Sequence, residues 1–415
     1  MRVSSIFADG LGERNMVIED VAIEAETRQH RKEETTTEVL VFTVRPKADA
    51  AGRCSRCRRR CPGYDTGGGV RRWRTLDVGT RKAYLQAHAP RVQCREHGIV
   101  TADVPWARPG AKCTYALEDT CAWLAAHAAL SVVTVLLRLA WRTVADIVAR
   151  VVADGRNTND LLTGLARIGI DEISYRKGHR YLTVIVDHDT GRMVWAHPGR
   201  NKETLGRFFD ELGAERSSQL THVSADGAEW IHTVVRERAP QAVLCLDPFH
   251  VVLWAMKALD KVRTRTLAGS GSRDRHTMWA VRKNPGDLTC EQRTSLASIE
   301  RTNRTLYRAY LLKEQLREVF RVKGAGGRVL LAGWLAWASR SRIPEMVALA
   351  RTIRRYRALI VNTCDHGVTN ARSESTNTHL RALTKRAYGF HTPEALIGMA
   401  MLTRGGLCPQ LPGRN

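Results

Sequence analysis

The longest coherent pattern in the chain runs from Ile168 to Glu374, where short apolar runs give way to stretches of helical spacing. Ile168 to Ile173 is apolar on both sides of Asp171 and reads as a central strand carrying one aspartate. Apolar runs at 181–187 and 192–196 follow. They are joined by Asp189-Thr190-Gly191, a hairpin signal because glycine tolerates the left-handed backbone of a tight turn. An amphipathic stretch covers 203–216, and Leu220 to Ala225 reads as a fourth strand ending on Asp226 before Gly227. With a further helix and the strand 242–246, the order is strand, strand, strand, helix, strand, helix, strand. Helical spacing then dominates 251–266, 290–322, 328–338 and 345–359. Glu374 opens a last helix after the loop 367–373, with Ser373 as its cap and an end near Tyr388.

That order is the α/β ribonuclease-H-like arrangement, in which the first and fourth strands are neighbours and Asp171 and Asp226 converge. Carboxylate oxygens suit a hard cation such as magnesium or manganese, and two ions ~3.5 to 4 Å apart can clamp both oxygens of a phosphodiester displacement. Glu374, from the late helix, completes the set. Asp247, at the end of the fifth strand in Asp247-Pro248-Phe249-His250, rivals Asp226. Glu172 is expected on the opposite face of its strand and Asp187 at a hairpin end. Residues 251–366 exceed the link of a minimal domain of this type and read as an all-α insertion. Of its tryptophans, 254, 279, 334 and 337, an exposed one could wedge against an unstacked base.

The amino-terminal part is organised differently. Residues 1–50 are polar and mixed, with one strand-like run from Val39 to Val44 and no visible chemistry. Cys54 and Cys57, then Cys94 and His97, form two knuckles with two-residue spacers, the usual way of building a tetrahedral structural zinc site from two turns. Cys61 could replace one ligand, and free thiols without metal are the alternative. Arg53, Arg56 and Arg58 to Arg60 crowd the first knuckle, as a phosphate-facing loop or as a solvated charge run. From Tyr115 to Val152 the spacing predicts a helix, a short break near 139–141 and a second helix, then a turn-rich linker at 154–159.

Charge narrows the partners. Among 415 residues, 65 Lys and Arg face 42 Asp and Glu, giving +23 and a pI near 10.1. A polyanion is the expected partner, because each neutralised phosphate releases condensed counterions. Ten cysteines are too few for a disulfide scaffold, and the start of the chain shows no leader pattern, so a reducing cytoplasmic setting is expected. The run Ala122 to Trp141 contains His127 and Arg138 and is expected to form buried helices, with no membrane span. Gly324-Ala325-Gly326-Gly327 lacks the lysine of a phosphate-binding loop, so no nucleotide cofactor is expected.

Five blocks carry a family resemblance: Gly169-Ile170-Asp171-Glu172, Arg176-Lys177-Gly178-His179, Val223-Ser224-Ala225-Asp226, Leu246-Asp247-Pro248-Phe249-His250 and Ser373-Glu374-Ser375-Thr376-Asn377. Together with the knuckles, they resemble the ISL-three family of insertion-sequence transposases along nearly the whole chain. The resemblance implies a DDE transposase that cleaves and transfers DNA strands with two magnesium or manganese ions held by Asp171, Asp226 and Glu374. Asp247, His250 and Asn377 would support them. It implies a zinc ribbon in residues 1–112, with His97 replacing a more usual cysteine, and a helix-turn-helix element in 113–158 that carries Arg142 and Arg150 toward the major groove. A plain core helix pair is the alternative there. The catalytic core would occupy 159–250, the helical insertion 251–366 and the final catalytic helix and tail 367–415, where Arg381 and Lys385 extend a stripe from Asn377 toward phosphate. Expected partners are double-stranded DNA of terminal inverted repeats and target, with a homo-oligomer working on the nucleoid. A zinc-dependent DNA-binding regulator that no longer cuts is the competing reading.

Overall fold

The computed structural model describes residues 10–414 apart from 14, 31–32, 177, 179, 268–274 and 388. Lys177 and His179 of the quoted block, and Tyr388, lie outside the described residues. The chain divides into two compact units, Met1–Asp160 with Leu383–Asn415, and Leu161–Ala382.

In the first unit, β1 (Met16–His30) and β2 (Glu33–Pro46) form a long antiparallel hairpin. The polar segment 19–26, where the sequence shows no strand-like run, is strand. On such a ribbon the backbone ladder supplies the pairing, so charged side chains can alternate toward solvent. After the short β3 (Gly63–Asp65) come β4 (Val70–Val78) and β5 (Arg81–His88), and the main sheet has the order β1-β2-β5-β4. Its core holds Phe42, Trp73, Leu85 and Trp106, with the two indoles edge to face at 5.6 Å. A second sheet joins β3 to β6 (Arg91–Cys94) and β7 (Gly98–Thr101).

Helices α1 (Tyr115–His127), α2 (Leu130–Leu137) and α3 (Trp141–Thr158) follow. The break between α2 and α3 falls where Arg138 takes a left-handed backbone at φ 53°, which ends a helix because the next turn cannot continue. Buried Val144, Ile147, Val148, Val151 and Val152 form the apolar stripe of α3. This helix runs through 154–158, where a linker was expected. Packing overrides the turn-prone composition: Gly155 lies against Leu407, Arg108 holds Asp154 at 2.9 Å, and the Thr158 hydroxyl donates to the Asp154 carbonyl.

The second unit is built on β8 (Arg167–Arg176), β9 (Arg180–Asp187), β10 (Met193–Pro198), α4 (Lys202–Leu212), α5 (Ala214–Ser218), β11 (His222–Ala225), α6 (Glu229–Arg238) and β12 (Val243–Leu246). The sheet order is β10-β9-β8-β11-β12, with β11 parallel to both β8 and β12. The first and fourth strands of the unit are therefore neighbours. Asn201 caps α4 by accepting from the Thr204 N–H at 2.8 Å, and α4 buries Leu205, Phe208, Phe209 and Leu212 in a core with Ile168, Ile170 and Val223.

Helices α7 (Pro248–Leu267), α8 (Arg275–Arg282), α9 (Cys290–Thr302), α10 (Arg304–Arg321), α11 (Ala325–Arg340), α12 (Pro344–Arg355) and α13 (Arg357–His366) come next. Two helices expected as continuous are split. Asn303 leaves α9 to cap α10, accepting from the Leu306 N–H at 3.0 Å, and Tyr356 separates α12 from α13. Trp334 is fully buried and donates to the Leu312 carbonyl, whereas Trp279 stays 45% exposed. The chain ends with α14 (Ala371–Arg386) and α15 (Pro393–Arg404). Among the described residues, no helix is long and apolar enough to cross a membrane.

Candidate active site

Parallel pairing of β8, β11 and β12 brings Asp171, inside β8, level with Asp226 and Asp247, which stand just beyond the ends of β11 and β12. Asp171 and Asp226 are partly buried, and Asp247 is buried. Burial pushes the Asp171 carboxyl up to about 6, against the Glu172 backbone N–H and His250, while the neighbouring Asp226 and Asp247 carboxylates push the same way as burial. Like charges in a partly dry site disfavour ionisation, which a cation reverses.

Asp226 organises the turn after β11: its Oδ1 accepts from the Ala228 N–H at 2.9 Å and its carbonyl lies 2.8 Å from His232 Nε2. Gly227 is needed here, because a Cβ would stand 2.6 Å from the Trp254 ring. Asp247 is buried, with Oδ2 2.9 Å from His250 Nδ1 and Oδ1 accepting from the Asn370 N–H at 3.3 Å. Burial works against a charged His250, but the bond to Asp247 and the carboxylates of Asp226 and Asp171 raise its pKa above the ordinary imidazole value.

Helix α14 is fastened over these strands by asparagines. Asn370 is buried, and its amide donates to the Ile170 carbonyl at 3.2 Å and accepts from the Ser224 hydroxyl. One helical face further on, Asn377 donates to Asp171 Oδ2 at 2.8 Å, while its own Oδ1 is buried with no partner among the described residues. Glu374 lies between them along the chain and is exposed. Its carboxylate makes no hydrogen bond or ion pair to another described residue. The expected cap is corrected: α14 starts at Ala371, the Asn370 carbonyl accepts from the Glu374 N–H at 2.8 Å, and the Ser373 hydroxyl is buried without a partner above Gly169.

Beneath this lies a layer that sequence reasoning missed. His188 Nε2 is 2.6 Å from the Ser224 hydroxyl, and burial holds its imidazole down at about 4, so it is neutral. Gly169 leaves room for the crossing: a Cβ would meet Ser373 Oγ at 2.5 Å and both Asn370 Oδ1 and His188 Cε1 at 2.9 Å. His188 read only as part of a hairpin, and Asn370 only as loop. The remaining signal was that Asn370 stands one turn before Glu374.

Glu172, expected on the opposite face of β8 from Asp171, has a partner of its own. It is ion-paired with Arg200, and burial, followed by the charge of Asp226, raises its carboxyl to about 7. Arg200, also missed, is held over the Tyr181 ring at 4.9 Å. Asp187 is consumed by its own hairpin, accepting from the Asp189 N–H and the Thr190 hydroxyl.

In the first unit the donor atoms of Cys54, Cys57, Cys94 and His97 all lie within 4.8 Å of one another. Cys57 and Cys94 sulfurs are 3.7 Å apart, and His97 Nδ1 is 3.7 and 3.6 Å from Cys54 and Cys94. Tetrahedral zinc with ~2.3 Å sulfur and ~2.0 Å nitrogen bonds gives ligand separations of about 3.6 to 3.8 Å. The residues therefore fit zinc. Backbone N–H groups at Glu96, then the His97 side chain, hold the Cys94 thiol at about 6, favouring the thiolate that binds metal. Cys61 stands outside the four and donates to the Arg59 carbonyl.

Of the expected DNA contacts, Arg142, Arg381 and Lys385 are exposed. Arg150 is not available in the same way. It is held by buried Glu118 at 2.6 Å, within a cluster where Arg108 binds Glu118, Asp119 and Asp154. A carboxylate buried in α1 demands this partner, a role of Arg150 that the sequence did not show.

Comparison with known proteins gives three family matches along the chain. Residues 168–400 match a transposase family model of the ISL3 DDE type. Residues 50–97 match the zinc finger of transposases IS204/IS1001/IS1096/IS1165, and residues 102–152 the helix-turn-helix domain of transposase family ISL3. The transposase for insertion sequence element IS1557 from Mycobacterium tuberculosis is 48% identical over 443 aligned residues, covering 100% of this chain and 98% of the relative. The transposase for IS1001 from Bordetella parapertussis is 26% identical over 353 residues, covering 82% of this chain and 86% of the relative.

Proposed function

Because the chain belongs to transposase family ISL3, we propose that it cleaves DNA at insertion-sequence ends and transfers the strands through a ribonuclease-H-like centre, with Asp171, Asp226 and Glu374 as the metal-holding carboxylates. Transposition of an insertion sequence is its function. The observation that carries the site assignment is the convergence of Asp171, Asp226 and Asp247 on three adjacent parallel strands, with Asn370 and Asn377 laying α14 across them.

The donor set fits magnesium or manganese: hard oxygens crowd together, burial and then the neighbouring acids push Asp171 toward its neutral form, and Asn377 Oδ1 is a buried oxygen without a donor among the described residues. When bound, such cations supply Lewis-acid polarisation of the scissile phosphodiester. The protein's own groups do the rest. Asn377 fixes the orientation of Asp171, and the Asp226 turn is locked by Ala228. Asp247 positions both the start of α14 and His250, whose raised pKa places positive charge among the acids. A cation held there would favour the ionised form of Asp171 that burial opposes.

Within this reading, 1–112 is the zinc-ribbon region, with zinc as structural ion on Cys54, Cys57, Cys94 and His97. Residues 113–158 read the terminal repeats with Arg142, 159–250 and 367–415 make the catalytic core, and 251–366 are the all-α insertion. Arg381 and Lys385 bind phosphate. The working form is a homo-oligomer on paired ends in the nucleoid. The test uses an end-labelled duplex carrying the element's terminal repeat with manganese, comparing wild type with Glu374→Gln. Cutting at the element boundary by wild type alone, with binding retained by the variant, supports the assignment. Undiminished cutting by the variant contradicts it.

A further inference from the structure

A cleft of about 730 Å³ opens in the first unit between the first zinc knuckle, the edge strand β4 and the loop before α1. Six cationic side chains line it, and their pairing divides them sharply. Arg72 is neutralised by Glu24, Arg91 by Asp65, and Arg108 by the Glu118, Asp119 and Asp154 cluster. Arg56, Arg71 and Lys112 are exposed and pair with no carboxylate among the described residues. The one acid in the lining, Asp103, lies beside Arg53 and Arg58, which favour its ionised form, although burial outweighs them and raises its pKa.

Three uncompensated cations around one open concavity keep a positive field over it, the arrangement that concentrates a polyanion. The cleft is rigidly framed. Arg56 stands inside the knuckle closed by Cys54 and Cys57, Arg71 is on a paired strand, and Lys112 lies next to Cys113, whose neighbour Thr114 caps α1. Its floor includes buried Trp73, and the exposed Ile99 stands at its edge, offering an apolar surface to a sugar. Meanwhile Arg150 on α3 is committed to Glu118 and leaves that helix with less charge for the backbone.

We propose that this cleft, through Arg56, Arg71 and Lys112, grips the phosphate backbone of duplex DNA at the element end, alongside the base-reading helix. The inference rests on the DNA-transposition reading and adds a clamp that carries affinity without sequence information.

The experiment measures binding of the full-length, zinc-loaded protein to a terminal-repeat duplex, a scrambled duplex and a single-stranded RNA between 50 and 200 mM salt. Each lost phosphate contact lowers the slope of log affinity against log salt by ~0.9. The triple variant Arg56→Ala, Arg71→Ala, Lys112→Ala should lose about 2.7 of slope, so its deficit against wild type shrinks roughly 40-fold across that range. The double variant Arg71→Ala, Lys112→Ala leaves the knuckle untouched and should show roughly 12-fold. Both should weaken terminal-repeat and scrambled duplexes alike, with one zinc and an unchanged melting temperature.

As control, Arg45→Ala with Arg81→Ala removes two exposed arginines already paired with Glu19 and Glu38. It should change the slope far less. Cleft variants with wild-type slope, or a control with an equal effect, overturn the clamp while the transposase reading stands. Loss of RNA binding without loss of duplex binding also overturns it. If wild type does not prefer the terminal repeat to the scrambled duplex, the failure lies in the underlying reading.

Discussion

Replacing Asp171 by asparagine should make the magnesium-free protein more stable at neutral pH while abolishing cleavage. The carboxyl moves from 3.8 to about 6 on folding, burial being the largest cause. At ~1.4 kcal/mol per pH unit, the ionised group costs the folded state about 3 kcal/mol. The sign follows from proton counting. Between these two values the folded protein holds a proton that the unfolded chain has released, so stability falls as pH rises through the window, and the deficit is complete above pH ~7. Asparagine keeps the shape and never ionises: its Oδ1 can still accept from the Glu172 N–H, and its NH2 can donate to Asn377 Oδ1 once that amide turns over. Urea unfolding without added magnesium or manganese, with zinc left in place, should show Asp171→Asn ahead by about 3 kcal/mol at pH 7.5 and by about 1 kcal/mol at pH 4.5. Manganese should raise wild type and leave the variant unmoved. A variant less stable than wild type at pH 7.5, or one whose advantage does not change with pH, would refute the reasoning.

Three further outcomes are expected. Gly169→Ala puts a methyl 2.5 Å from Ser373 Oγ and 2.9 Å from Asn370 and His188. It should cost about 1 to 3 kcal/mol in unfolding experiments and cut strand cleavage more strongly, because α14 shifts away from Asp171. Arg150→Ala strips one partner from buried Glu118, so it should destabilise the first unit by about 1 to 3 kcal/mol in thermal unfolding, with terminal-repeat affinity changing only as far as folding does. Cys94→Ser should lose the bound zinc, measured by metal analysis, and open the 50–97 segment to protease while the unit Leu161–Ala382 stays protected.

What the sequence discloses follows the range of the forces involved. The β8 and β11 strands were legible because short apolar runs carry an acid, Asp171 within the first and Asp226 just after the second. The zinc site was legible because a two-residue spacer is a geometric constraint written into neighbouring positions. The break before Trp141 was legible, though its left-handed Arg138 was not. Contacts across the chain left no such trace. Asn370 reaches the Ile170 carbonyl across 200 positions, and His188 meets Ser224 only because β8 lies between β9 and β11. The polar strand β1 was missed because its partner is backbone. The helical course of 154–158 was missed because Arg108 and Leu407 stabilise what local propensity opposes. Arg150 shows the same limit, since its periodic position does not reveal that a buried glutamate waits for it.

The account turns on which aspartates hold the metals. The most direct measurement is cleavage of a supercoiled plasmid bearing the element ends, with magnesium or manganese, by wild type, Asp226→Asn and Asp247→Asn. Asp226 closes the strand next to Asp171, whereas Asp247 is buried and engaged by Asn370 and His250. Metal-dependent cutting that vanishes with Asp226→Asn and only weakens with Asp247→Asn is the predicted result. Cutting that survives Asp226→Asn and is abolished by Asp247→Asn alone would contradict the assignment of the second carboxylate.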